Sequence, residues 1–146
     1  MAKAYNLNMV VAAYATQQIS GWGEGGAIKI EKKEDDFSVE EMVDGEVVFS
    51  FTGSRIWIAT FTLAQTSRAN DILSAARNAD LASVRAGGGG TGVVPFSLTD
   101  INGASVCISP ASRICKPPAY EYTNKVKDRE WKIVLADVID FTGGQL

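Results

Sequence analysis

The stretch RIWIATFTLAQTSRANDILSAARNADL, Arg55 to Leu81, changes its hydrophobic period partway, and that change decides the fold. From Arg55 to Leu63 the side chains alternate, with Trp57, Ala59, Phe61 and Leu63 on one face and Ile56, Ile58, Thr60 and Thr62 on the other. Successive strand residues point to opposite sides, so this is a strand with one wholly apolar face and a second face that also favours cover. Beyond Leu63 the period lengthens. Ala69, Ile72, Leu73 and Ala76 recur at the spacing that lines one side of a helix. Ser67 is placed to cap the free amides at its start, and Asp71 lies in the first turn, against the positive end of the helix dipole. Arg77 is read near the far end, where positive charge is favoured. The expectation is a short amphipathic helix plugging one end or face of a β core.

Toward the N-terminus, Tyr5 to Ala15 reads as a strand and Gln17 to Ile19 as a second, short one. The opening MAKAYNLNMVVAAYA is read as strand, not secretory leader, because Asn6, Asn8 and Tyr14 interrupt its apolar patch. Glycines 21, 23, 25 and 26 mark a turn or bulge. Gly26 to Lys33 then alternates, Ile28 and Ile30 against Lys29, Glu31 and Lys33, as a half-buried strand does. Residues 32 to 50 form an extended loop or hairpin. The charges from Lys32 to Asp36 expose it, while Phe37, Val39, Met42 and Val43 give it adhesive points, and Asp44-Gly45 is a two-residue hairpin signal.

Toward the C-terminus, Arg85 to Gly92 is a flexible connection or a place where backbones approach closely. Val93 to Leu98 and Ala104 to Ile108 make another hairpin, turning at Asp100 to Gly103. Ser109 to Pro118 is expected to be irregular, because Pro110, Pro117 and Pro118 lack the amide a central strand needs. Glu130 to Ile139 is the last strand, with Trp131, Ile133 and Leu135 opposite Lys132, Val134 and Ala136. No repeat or linker divides residues 1 to 146. The fold class is all-β dominated, a sandwich or barrel of antiparallel strands with one helix.

Composition narrows the function. A chain of 146 residues buries a core without metals or disulfides. A net charge of −3 opposes a role that grips nucleic acid through phosphates. No apolar run approaches the roughly 20 residues that cross a bilayer, so no membrane insertion is expected. Cys107 and Cys115 are read as free, buried thiols. The chain has no histidine, which removes the commonest general base and metal ligand together. Gly87 to Gly92 is followed by no Gly-Lys-Ser/Thr, so it is not a phosphate loop. The acids between Glu34 and Glu46 lack calcium-loop spacing, and a serine nucleophile would need a lysine partner in a Ser-x-x-Lys motif that is absent. Glu40 and Asp44 are the remaining carboxylate pair for hydrolysis. No catalytic residue, cofactor or metal is therefore assigned. What remains is surplus strand edge, which copies of the same chain could satisfy in a ring.

Several segments, taken together, carry a family resemblance. They are Ile19-Ser20-Gly21-Trp22-Gly23, Ile28-Lys29-Ile30-Glu31, Glu34-Asp35-Asp36-Phe37-Ser38, Asp44 to Val48, Leu63 to Leu73, and Arg129-Glu130-Trp131. With them the chain resembles the tail tube proteins of contractile-tailed bacteriophages, a branch often described only as phage structural protein and related in fold to the type VI secretion tube. The resemblance spans nearly the whole chain, and Gln65 to Leu73 and Arg129 to Trp131 are its most specific parts. It implies two packed β-sheets flanked by one helix, and hexameric rings whose inner sheets join around a channel. It also implies rings stacked into a helical tube in the virion tail, assembled in the host bacterial cytoplasm. The implied partners are further copies of the chain, the tail sheath protein, the tape measure protein, and baseplate and terminator proteins at the ends. Double-stranded DNA would pass without specific binding. Lumen-facing acids drawn from Glu31, Glu34, Asp35 and Asp36 would keep that passage loose. The contact to the next ring is expected at Phe37, Met42, Val43, Asp44 and Gly45, in a hairpin that orders on contact. The alternatives are the tube of a contractile secretion or injection system, and a monomeric β-barrel that binds a small ligand.

Overall fold

The computed structural model describes residues 10–15, 17–20, 28–101 and 103–144. The expected glycine turn at residues 21–26 and the first strand's beginning at Tyr5 lie outside them. The described strands are β1 (Val10–Tyr14), β2 (Gln17–Ile19), β3 (Ile28–Lys32), β4 (Phe37–Glu41), β5 (Val47–Phe51) and β6 (Ile56–Leu63). After the helix α1 (Ala69–Arg85) come β7 (Val94–Asp100), β8 (Val106–Lys116), β9 (Arg129–Ala136) and β10 (Ile139–Phe141). All pairings are antiparallel. The larger sheet runs β2-β1-β7-β8-β9-β6-β3, with β10 on β8, and β4 and β5 make a separate two-stranded sheet. The β-dominated class with one helix and two antiparallel sheets is the one read from the sequence.

The larger sheet curls over on itself. Strands β9 and β8 lie between β6 and β7, so in a flat sheet Phe61 and Phe96 would stand about 14 Å apart at ~4.8 Å per strand. Their ring centroids are 5.7 Å apart. The inward faces of the two halves therefore meet in one core. Ala59, Phe61 and Leu63 of β6 join Trp131, Ile133 and Leu135 of β9 and Tyr14 of β1, with Leu73 of the helix closing it. The alternation read for β6 and β9 places the inward residues correctly.

The helix is longer than its apolar spacing suggested. It continues to Arg85, so Arg77 lies mid-helix and not near its end. Ser67 does hold an amide at the start, its Oγ accepting from Ala69 N at 3.2 Å while donating to the Ser20 carbonyl at 2.7 Å. The buried side continues from Ala69 and Leu73 to Asp80, where a charge takes the place of an apolar residue. At the far end Gly87 N and Gly88 N donate to the carbonyls of Val84 and Ser83, with Gly87 at φ 91. That crossed pair of bonds is the Schellman arrangement, which needs a residue in the left-handed region. The glycine run thus begins as a helix cap. It continues as a close approach: a Cβ on Gly92 would collide with Asp80, and Gly90 lies against both Asp80 and Arg113.

Residues 109–116 correct the expectation of irregular chain, because β8 runs straight through Pro110. Two features make room for the proline. On one side β8 changes partner, pairing through Ile108 with Ile139 of β10 and from Ala111 with Ala136 of β9. On the other side a register shift lets Pro110 and Ala111 oppose Pro95 alone. The missing amide falls where no ladder bond is needed. Buried hydroxyls serve the displaced carbonyls, Ser109 Oγ donating to Ala136 O at 2.6 Å and Ser112 Oγ to Val94 O at 2.7 Å. The strand expected from Glu130 to Ile139 is likewise broken, by Asp137 at φ 52, into β9 and β10.

Candidate assembly surfaces

The β4–β5 hairpin leaves the sheet from the end where β6 begins. Lys33 N donates to Ile56 O, and Thr52 N to Asp36 O, so the β3–β6 ribbon passes into the hairpin through Glu34-Asp35 and Gly53-Ser54. Its turn differs from the two-residue form suggested by Asp44-Gly45. Met42 N donates to Glu46 O at 2.7 Å and Gly45 N to Met42 O at 2.9 Å, leaving a three-residue loop closed by Gly45 at φ 87. Asp44 Oδ1 accepts from Glu46 N at 3.1 Å.

That one-residue difference decides the surface. In the observed register Phe37 opposes Phe51, Val39 opposes Phe49, and Glu41 opposes Val47. Directly opposed residues share a face, so four large apolar side chains and Val47 form one stripe, with Ser38, Glu40, Val48 and Ser50 behind it. A two-residue loop would have turned Phe49 and Phe51 to the other side. Phe37 and Phe51 touch at 5.8 Å between centroids, yet Phe49 and Phe51 remain 68% and 75% exposed. A two-stranded hairpin in water is marginal, and nothing among the other described residues covers this face.

Of the predicted contact residues, Phe37 sits at the base of the stripe and Met42, Val43, Asp44 and Gly45 form the tip. The sequence reading did not include Phe49 and Phe51; their two-residue spacing was the available signal, hidden by the assumed loop length. Of the predicted acids, Glu31 lies on the exposed face of β3 beside Lys29, at 3.6 Å, and Asp36 pairs with Lys32. Glu34 and Asp35 occupy the exposed turn between β3 and β4. The candidate pair Glu40 and Asp44 does not form a cleft: both are exposed, and Asp44 is engaged by its own turn.

A second surface was not anticipated. Between β8 and β9 the chain crosses residues 117–128, an exposed strap without regular structure. It is nevertheless anchored. Arg129, itself buried, stacks 5.0 Å from the Tyr122 ring and 5.8 Å from that of Tyr120, and its Nη1 donates to Ala119 O at 3.4 Å. Lys127 N donates to Gln65 Oε1 at 3.1 Å, and Trp131 Nε1 to Asn70 Oδ1 at 2.9 Å. The two segments that carry the resemblance most specifically, Gln65 to Leu73 and Arg129 to Trp131, thus meet at the root of the strap.

A cleft of about 510 Å³ at the hairpin's base is lined by Lys32, Asp36, Arg55, Trp57 and Asp137, with charges of both signs and no convergent set. Among the described residues, no group of three or more metal-ligating side chains gathers, and no buried side-chain polar atom lacks a partner. No helix among them is long and apolar enough to cross a membrane. Cys107 is buried, which raises its thiol pKa together with nearby Asp140, whereas Cys115 is exposed, contrary to the expectation of two buried thiols. At the sheet's borders β2, β3 and β10 each pair on one side only among the described residues, and Ile108, Ile139 and Phe141 expose an apolar patch there.

Comparison with known proteins adds to this picture. No family model matches the chain. "Structural protein ORF10" of Pseudomonas phage KPP10 is 25% identical over 133 residues, which span 91% of this chain and 75% of that protein. The sheath/tube terminator of an extracellular contractile injection system, PVC, in its extended state, superposes with a TM-score of 0.60 at 9% identity, covering 97% of this chain and 99% of that one. The tube-terminating cap of the anti-feeding prophage gives a TM-score of 0.57 at 8% identity, over 97% and 95% of the two chains. At such identities the two structures share the fold with this chain.

Proposed function

We propose that the chain is a structural protein of a phage tail or kindred contractile injection device, and that its copies form hexameric rings stacked into the inner tube. The observation that carries this reading is the β4–β5 hairpin, a self-paired ribbon whose apolar stripe has no cover among the described residues. Exposed contiguous apolar faces on a small domain mark interaction sites. Its acids and its tip, Met42 to Gly45, suit a contact that is made and adjusted between rings. The borders at β2, β3 and β10, each paired on one side only among the described residues, suit lateral pairing between neighbours, which would also protect them from indiscriminate association. The similarity to a phage structural protein points to the same setting. The sheath, tape measure and end proteins are the partners such a tube implies, and Glu34 and Asp35 the acids best placed for a DNA-repelling lumen.

A second reading is favoured by the two superposed structures, which are a terminator and a cap: the chain would then form a single ring at a tube's end. Purified protein in negative stain separates them. Open-ended tubes support the first reading and isolated rings the second, while uniform monomers at all concentrations would overturn both.

A further inference from the structure

The hairpin and the strap lie at opposite ends of one ladder. In the β6–β9 pairing Ile56 faces Ala136 at the end where the hairpin leaves, and Leu63 faces Arg129 at the end where the strap enters. Seven residue steps separate these ends, about 24 Å at ~3.4 Å per residue. The two surfaces also differ in charge. Residues 34–51 hold seven acids and no base, whereas the strap, residues 117–128, carries Lys125 and Lys127 against Glu121 and Asp128 and is flanked by Lys116 and Lys132. Both are partly apolar: the hairpin offers its phenylalanine and valine stripe, the strap Tyr120, Tyr122 and Val126, which are 81%, 74% and 65% exposed.

From this juxtaposition we infer that the strap at residues 117–128 is the surface on which the hairpin of a second copy docks, an inference that rests on the tube reading above. Copies stacked in one orientation bring the hairpin end of each toward the strap end of the next. The contact is heterologous and head-to-tail, so it propagates without closing. Lys125 and Lys127 meet the hairpin's acids, Glu41 on the stripe's own face and Glu46 at the turn, while the tyrosines lie against Phe49 and Phe51. Tyrosine suits this place, supplying rigid, amphipathic area at low entropic cost. Arg129 holds both rings from beneath, so the docking face is preformed.

Charge exchange tests the pairing. Glu41→Lys/Glu46→Lys and, separately, Lys125→Glu/Lys127→Glu are expected to leave the melting temperature of the unassembled chain unchanged and to lower tube yield about tenfold or more, leaving rings. All four substitutions in one chain restore tubes, a recovery that a misfolded variant could not give. Tubes formed by either pair alone, or no recovery in the combined chain, would overturn the hairpin–strap contact and leave the tube reading standing. A wild-type chain that never assembles removes both.

Discussion

Asp80 of the helix and Arg113 of β8 form a two-pronged ion pair, Nε donating to Oδ2 at 2.8 Å and Nη2 to Oδ1 at 2.6 Å. Gly92 N adds a third bond to the same carboxylate at 3.0 Å, and Tyr14 Oη donates to the Gly92 carbonyl at 3.2 Å. Helix, glycine run, β1 and β8 are thereby locked at one point. The Arg113 bonds, helped by the Gly92 amide, hold the Asp80 carboxyl down to about 2 from an ordinary 3.8. A depressed folded-state pKa means that the stability this group adds is in full above about 3.8 and is lost as pH falls toward about 2. Acid unfolding of the wild type should steepen in that window. Asp80→Asn should be less stable at neutral pH and should lose that part of the pH dependence, as read by denaturant unfolding at a series of pH values.

Phe96→Ala should be the most damaging core substitution in β7, because Phe96 is the ring that holds the two halves of the curled sheet together against Phe61. A cost of about 3–5 kcal/mol is expected from urea unfolding of the unassembled chain.

The two thiols should separate cleanly. An aromatic disulfide reagent at neutral pH is expected to label Cys115 within the native chain and to reach Cys107 only on unfolding, because Cys107 lies in the core with its pKa raised by burial. Labelling of both at equal rates would contradict the placement of β8.

Phe49→Ser/Phe51→Ser removes apolar area that is left exposed among the described residues. The unassembled chain should keep its stability within about 0.5–1 kcal/mol while tubes fail to form. Hydrogen exchange carries the companion expectation. Amides of residues 34–48 should exchange readily in the free subunit and slowly in the tube, and equal protection in both states would exclude ordering on contact.

The strand–helix switch after Leu63 was legible because burial imposes different periods on strands and helices, and β6, β9 and the start of α1 followed it. What was not legible depended on partners distant in sequence. The helix passes Ala76 because Asp80, polar by itself, becomes a core residue once Arg113 arrives from a strand 33 positions on. Pro110 stands inside β8 because two successive partner strands leave it a gap, which no local pattern reveals. Likewise the apolar stripe depends on a turn one residue longer than Asp44-Gly45 suggests. The strap carries no periodic signal, since Tyr120 and Tyr122 stand in a stretch with neither strand nor helix spacing, and the anchor beneath them, Arg129, comes from the next strand.

Placing the ribbon and the tyrosine strap at opposite poles of one ladder gives any column of such copies unlike ends. One tip would be fringed with bare phenylalanines, the other paved with aromatic hydroxyls and lysine, and growth at each would be a different chemical event. Nothing in such a column would fix its own extent. A related chain that kept the fold but lost one of the two features would bind a single tip and halt elongation there.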